Sequence, residues 1–261
     1  MHASLARYLD DAADTWLGYA LPRPRDAVRE ARWRPDRRDA WCIRCGGSVG
    51  PGEQTARGCA ACRGLPAIGD AVVRLGAYRP PLREWVLAIK FGGWTAMGVR
   101  LGRRLGRRIR RERLVSGPAL VVPIPMAPIR RAVRGTDHAL VIADALAAEL
   151  KAPLASVLTR SAGPSQTALT VSERRRRPGR DIRPRRRVPF PGRLRLEGRA
   201  IVLVDDVITT GSTMRTAAGH LRFLDPNRIL IAALAVADAD RAPTDGERVD
   251  CIFPGFDSRR R

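Results

Sequence analysis

The most chemically loaded stretch of the chain is an apolar run that ends in two carboxylates and a cluster of small hydroxyl residues. Ile201-Val202-Leu203-Val204 leads into Asp205-Asp206, and Thr209-Thr210-Gly211-Ser212-Thr213 follows. The apolar run has the continuity of a strand covered on both faces, and it should end at Asp205. The hydroxyl turn can aim backbone N–H groups and side-chain oxygens at one point. From Met214 to Leu224 the text reads as a helix, whose N-terminus favours an anion. Neither Gly-x-Gly-x-x-Gly nor Gly-Lys-Ser/Thr is present, so a different phosphate loop is implied.

A second cluster is made of thiols. Cys42-x2-Cys45 and Cys59-x2-Cys62 are two close pairs thirteen residues apart, with Gly46-Gly47 after the first and Gly64 after the second. Two such knuckles let four thiolates converge on one tetrahedral Zn²⁺, and a segment this short has too little apolar surface to fold unaided. The alternative, two disulfides or a redox pair, is disfavoured in a cytoplasmic protein. Four thiolates leave no open position, so the metal is expected to be structural. Cys251, in an apolar setting, is expected to be an inert strand residue.

The elements that must position these groups alternate. A short strand near Gly76, a helix through Ile89, a Gly-Gly break and a helix with Met97, Leu101, Leu105 and Ile109 on one stripe come first. The other face of that helix is almost all arginine, which reads as a solvated face or a nucleic-acid surface. Leu120 to Pro125 is a strand, residues 138–152 an amphipathic helix, and a further strand starts at Arg228. This alternation predicts an α/β fold with a mainly parallel sheet. Between Arg160 and Leu196 lies a basic insertion; residues 174–187 hold nine arginines against Asp181, and Pro178 and Pro184 prevent a regular helix. The arginine- and proline-rich text from Pro22 to Trp41 reads as a linker after a helix near the start.

A formal charge of +22 attracts polyanions without choosing among them. Only Lys90 and Lys151 among the 48 basic residues are lysine, a compositional skew that weakens a purely electrostatic argument. The apolar runs are shorter than a membrane span, and Arg7, Asp10, Asp11 and Asp14 occupy the place of a signal-peptide core, so a cytoplasmic protein is expected.

Residues 202–213, VLVDDVITTGST, closely resemble the signature with which type I phosphoribosyltransferases bind 5-phosphoribosyl-1-diphosphate. Three more segments narrow the resemblance to the ComF family of competence-associated proteins: LREWVLAIKFGG at 82–93, VVPIPMAPIRRAVRG at 121–135 and LTRSAGPSQTALTVSERR at 158–175. The resemblance implies a type I phosphoribosyltransferase-like parallel sheet flanked by helices, with a small N-terminal zinc ribbon. It further implies that Asp205 and Asp206 hold the ribose hydroxyls and act in catalysis, while Val207 and Thr209, Thr210, Gly211, Ser212 and Thr213 form the 5′-phosphate loop. Arg130, Arg131 and Arg134, joined by Lys90, would face the diphosphate with Mg²⁺, and Gln166 and Arg174 would belong to a flap that closes over the ligand. Arg134-Gly135-Thr136-Asp137-His138 departs from the Arg-Gly-aromatic-Asn-Gln usual in the family, and the departure bears on the acceptor pocket.

The expected organisation is an N-terminal helix and linker (1–38), a zinc-ribbon module (39–68), a phosphoribosyltransferase-like domain (69–250, with a flexible basic flap at 160–196) and a basic tail (251–261). The expected function is binding of phosphoribosyl diphosphate with Mg²⁺ and transfer of its phosphoribosyl group to a nitrogenous acceptor. The alternative is a nucleic-acid-binding protein of the DNA-uptake machinery that grips single-stranded DNA and keeps the same pocket as a sensor.

Overall fold

The computed structural model describes residues 21–53, 57–128, 131–132, 135–160, 182–185, 198–223 and 225–238. The chain divides into two units, Met1–Arg34 and Pro35–Arg261. In the first, α1 (Pro24–Glu30) occupies text that reads as linker. Proline in its first turn costs no hydrogen bond, and Asp26 near the N-terminus with Arg29 near the C-terminus suits the helix dipole. The helix expected nearer the start, the tail and Cys251 lie outside the described residues.

The second unit is built on four parallel strands in the order β1 (Ala71–Ala77), β6 (Arg228–Val236), β5 (Ala200–Ile208), β2 (Ala119–Pro123). Helices α2 (Leu82–Phe91), α3 (Thr95–Arg111), α4 (His138–Leu150) and α5 (Ser212–Arg222) connect and cover them. The apolar runs of β5 and β6 are buried along almost their whole length, as strands covered on both faces must be. Ile201 and Leu203 join Met214, Ala217 and Leu221 of α5 in one cluster, and strand alternation turns Val202 and Val204 to the opposite face. Among the described residues no helix is long and apolar enough to cross a membrane.

Beyond the expected strand end at Asp205, β5 continues to Ile208. Its pairing with β2 stops where Pro123 meets Val204, but its pairing with β6 goes on through Ile208 opposite Val236. The two acids therefore leave the sheet on a strand supported from one side only. Within the basic insertion, β4 (Ile182–Pro184) pairs antiparallel with β3 (Leu158–Arg160), and Ile182 is fully buried. Pro184 is tolerated because this is a two-stranded edge.

The arginine-faced helix α3 has a second stripe the periodicity conceals. Gly98, Gly102 and Gly106 recur every four residues and face α4. A Cβ on Gly102 would lie 2.5 Å from the Ile142 carbonyl oxygen, and one on Gly106 would lie 2.8 Å from Glu149 Cβ. The arginine face itself is not uniformly solvated. Arg103, Arg107, Arg110 and Arg111 are exposed, Arg104 is half-buried, and Arg108 is buried, with Nη1 donating to the Arg74 carbonyl at 2.6 Å and Nε 3.1 Å from Glu112.

Gly102→Val should force α3 and α4 apart and cost about 1–3 kcal/mol, the usual penalty of overpacking. Gly219→Ala, on α5 with open space around the added methyl, should instead stabilise by about 0.5–1 kcal/mol. Thermal and urea unfolding of both variants check the opposite signs.

Candidate functional site

Where β5 outruns β2, Asp205 and Asp206 meet Lys90 from the last turn of α2: Lys90 Nζ stands 2.9 Å from Asp206 Oδ1, with both side chains mostly buried. Asp205 Oδ1 accepts the Asp206 N–H at 2.8 Å. Burial, and then the neighbouring Asp206 charge, push Asp205 up to about 7, against the pull of that N–H, Lys90 and Arg160. Asp205, desolvated beside an ion-paired carboxylate, is poised to release its proton when a cation arrives.

The hydroxyl turn follows at once. Gly211 adopts φ 69°, a conformation L side chains resist, and an added Cβ would stand 2.7 Å from Ile68 Cγ2. Glycine is needed there on both counts. The turn leads into α5 at Ser212; its N-cap, Gly211, supplies no side-chain cap, and the Ser212 N–H reaches Thr210 Oγ1 only at 3.5 Å, so this helix start has the donors an anion can use. Thr210 Oγ1 and Ser212 Oγ lie 3.0 Å apart at its mouth. Ser212 and Thr213 fall inside α5, earlier than the expected helix start at Met214.

The structure thus brings together Asp205, Asp206, Lys90 and the turn from Thr209 to Thr213, with half-buried Val207 between acids and turn. Arg131 is exposed on the segment after β2. Arg130, Arg134, Gln166 and Arg174 lie outside the described residues. Arg160, at the end of β3, was not singled out by type or spacing, yet its charge acts on Asp205 and its Nη1 donates to the Pro125 carbonyl at 3.4 Å. Ile68, the support of Gly211, carries no signal in a linear reading. His138 is buried at the first turn of α4, where Asp137 caps by accepting the Leu140 N–H at 3.2 Å.

The four module cysteines converge as their spacing demands. Their Sγ atoms lie within 4.8 Å of one another, with Cys42–Cys62, Cys45–Cys59 and Cys59–Cys62 at 3.7–3.8 Å. A tetrahedral ion with bonds of about 2.3 Å sets its sulfurs about 3.8 Å apart, so the cluster fits such a cation. Although burial opposes it, Cys42 is lowered to about 7 by backbone N–H groups of Arg44, Cys45 and Cys59. Cys45 and Cys62 are pushed up, first by burial and then by neighbouring thiols. Several thiolates cannot coexist there without a cation, which is the chemistry of a metal-ligand set.

The module is fastened to the sheet by a buried charge. Arg74 on β1 donates to the Gly46 carbonyl at 2.7 Å, to Ser48 Oγ at 2.9 Å and to Asp36 at 2.7 Å. Asp238, just past β6, accepts the Ser48 N–H at 2.8 Å and pairs with Arg79 at 2.6 Å. Trp41 is fully buried, with the Arg38 and Arg108 guanidinium carbons 5.0 and 4.9 Å from its ring.

Residues 136–256 match the phosphoribosyl transferase domain family, a span that contains the acids and the turn but not Lys90 or the four module cysteines. Competence protein F of Haemophilus influenzae is 26% identical over 203 residues, covering 76% of this chain and 85% of its own. DNA utilization protein YhgH of Escherichia coli K12 is 27% identical over 180 residues, 68% of this chain and 75% of its own. Among solved structures, a purine phosphoribosyltransferase from Pyrococcus horikoshii aligns at 21% identity and a TM-score of 0.33, covering 54% of this chain and 73% of its own.

The raised Asp205 has a consequence for stability. An ordinary aspartate titrates near 3.9, so the folded state holds the proton more tightly than the unfolded one. The stability this provides is complete below about pH 4 and is lost as pH rises through about 7. Asp205→Asn should therefore melt several degrees above the parent at about pH 8, and the gap should narrow toward about pH 5. Thermal melts across that range check it; a variant no more stable than the parent at the high end would remove the electrostatic strain inferred for this site.

Proposed function

From a chain of the ComF family, with a phosphoribosyl transferase domain and a four-cysteine module, we propose that the protein binds 5-phosphoribosyl-1-diphosphate with Mg²⁺ in the cytoplasm and transfers the phosphoribosyl group to a nitrogenous acceptor. The observation that carries the reading is the union, at one strand end, of Asp205 and Asp206 with an uncapped helix start behind the Thr209 to Thr213 turn. The acids supply acceptors for two ribose hydroxyls and negative charge near an anomeric carbon that becomes positive. The turn supplies N–H groups and hydroxyls for the terminal phosphate.

Lys90 neutralises Asp206 in the free protein and is in reach of a diphosphate placed above the acids, so a ligand would exchange one ionic partner for another. Arg131, and Arg130 and Arg134 beside it in sequence, would face the same leaving group, and Gln166 and Arg174 would cover it. Mg²⁺ would neutralise the diphosphate and bring it near the carboxylates. The ion of the cysteine module is Zn²⁺, chosen by four sulfur ligands and a closed shell, and its work is structural.

A second reading, single-stranded DNA binding as part of DNA uptake, is favoured by the exposed row Arg103, Arg107, Arg110 and Arg111 on α3 and is in keeping with the names of the relatives. The two readings are compatible, since the row and the carboxylates belong to different elements.

Asp205→Asn with Asp206→Asn should abolish Mg²⁺-dependent binding of phosphoribosyl diphosphate, measured by calorimetry, while ribose 5-phosphate, held mainly by the turn, loses less affinity. Zinc content by elemental analysis should stay at one ion per chain. Equal affinities of parent and variant for the diphosphate would sink the reading.

For the second reading, oligonucleotide affinity should fall steeply with salt, and neutralising Arg103, Arg107, Arg110 and Arg111 should flatten the slope. Arg108 is left intact because it is buried. Fluorescence anisotropy at several salt concentrations measures this, and an unchanged slope would leave the row as solvated surface.

A further inference from the structure

The turn from Thr209 to Gly211 borders a cavity of about 620 Å³ whose other side is lined by Gly47, Val49 and Leu65 of the cysteine module. Three arginines also border it, Arg44, Arg79 and Arg215. Arg44 is committed to the carbonyls of Arg57, at 2.9 Å, and Leu65, and Arg79 is committed to Asp238 at 2.6 Å. Arg215 differs. Its side chain is half-buried, and its Nε is buried with no hydrogen-bond partner among the described residues. A cation in that condition, beside a helix start whose N–H groups are available, is matched to an anion. We infer that Arg215 is a specificity-determining residue of the turn, one that makes it select a terminal phosphate monoester over an internal phosphodiester; the inference rests on the 5′-phosphate reading of the turn above.

The helix itself aims this side chain. Arg215 lies one turn into α5, where its N–H donates to the Gly211 carbonyl at 2.9 Å. Cα–Cβ bonds in a helix tilt toward its N-terminus, so a long side chain covers the turn before its own, here the turn that begins at Gly211. Gly211 has no side chain to occupy that ground. The backbone conformation that requires glycine there, with φ 69°, thus also leaves the guanidinium a path back to the hydroxyl turn.

The chemistry of the two ester classes decides what such a site prefers. A phosphate monoester carries three terminal oxygens and, above about pH 6, close to two negative charges. The N–H groups at the start of α5 and the hydroxyls of Thr210 and Ser212, 3.0 Å apart, meet it from the helix end. The guanidinium meets it from the flank, and its planar fork takes the remaining oxygen through charge-assisted hydrogen bonds. A diester between two sugars has only two free oxygens and one charge, so it offers Arg215 neither the third acceptor nor the second charge. The turn therefore takes a sugar with a terminal phosphate in preference to the backbone of a polynucleotide.

The test uses the full chain and, as probes, ribose 5-phosphate and its methyl phosphodiester, with affinities from calorimetry and phosphorus NMR. The parent should bind the monoester about tenfold or more tightly than the diester. Arg215→Gln should weaken the monoester by a similar factor and leave the diester nearly unchanged, so that the preference collapses. Arg215→Lys, which keeps the charge without the fork, should fall between the two. Arg215→Ala should recover monoester affinity when millimolar guanidinium ion is added, a rescue that a merely structural role would not show. An Arg215→Gln variant that keeps the parent's preference, equal losses for both esters without rescue, or no binding of the monoester to the parent overturns the inference. If phosphoribosyl diphosphate with Mg²⁺ binds parent and Arg215→Gln alike, the inference falls and the transferase reading stands. If the monoester depends on Arg215 while the diphosphate does not bind, the phosphate site stands and the transferase reading falls.

Discussion

A guanidinium with almost no exposure on the first strand of a parallel sheet is the constraint from which the arrangement of the second unit follows. Arg74 cannot be left unpaired in that setting, where burial first and the Arg79 charge after it depress its pKa and the nearby Asp36 opposes the shift. Its partners come from separate stretches of chain: Asp36 before the cysteines, Gly46 and Ser48 within the module, and Asp238 after β6, whose carboxylate lies 3.9 Å from Arg74 Nη1. Satisfying one charge therefore docks the module on the sheet. It also fixes the end of β6, whose next residue, Ala237, donates its N–H to the Ile208 carbonyl at 2.8 Å. The hydroxyl turn starts one residue later.

The same logic of compensated burial governs the carboxylates. Asp206 has Lys90, while Asp205 has a backbone N–H and more distant cations, and burial raises Asp205 to about 7. A site of this kind is costly to the free protein and gains when a ligand supplies hydroxyl donors and a divalent ion, the usual relation between strained binding groups and stability. The glycine contact of α3 with α4 belongs to the opposite class, since it concerns shape alone. By bringing two helices close it gives the sheet a compact cover and sets Glu149 of α4 3.7 and 3.8 Å from Arg107 and Arg110 of α3.

The cysteine module has more than its own fold to maintain. Ile68, six residues past Cys62, stands against Gly211, and the thiols share a cavity with the hydroxyl turn. Order in the module is therefore also order in one wall of that cavity, linked to the turn through ordinary packing with no moving part required.

Short-range chemistry was legible in the linear text. The strand-helix alternation, the tetrathiol cluster, the paired acids and the glycine of the turn each depend on residue types within a few positions of one another, where backbone geometry decides who can meet. What lay beyond it are meetings between distant segments. The extension of β5 past the acids depends on β6 outlasting β2. The burial of Arg108 depends on a carbonyl 34 positions away, and Arg74, Arg160 and Ile68 acquire their roles only from neighbours that no spacing rule brings together. An arginine on a helix face looks the same in sequence whether it meets water or a carbonyl, because its long side chain can serve either. Only packing decides which, since desolvation has a cost only where the surrounding chain excludes water.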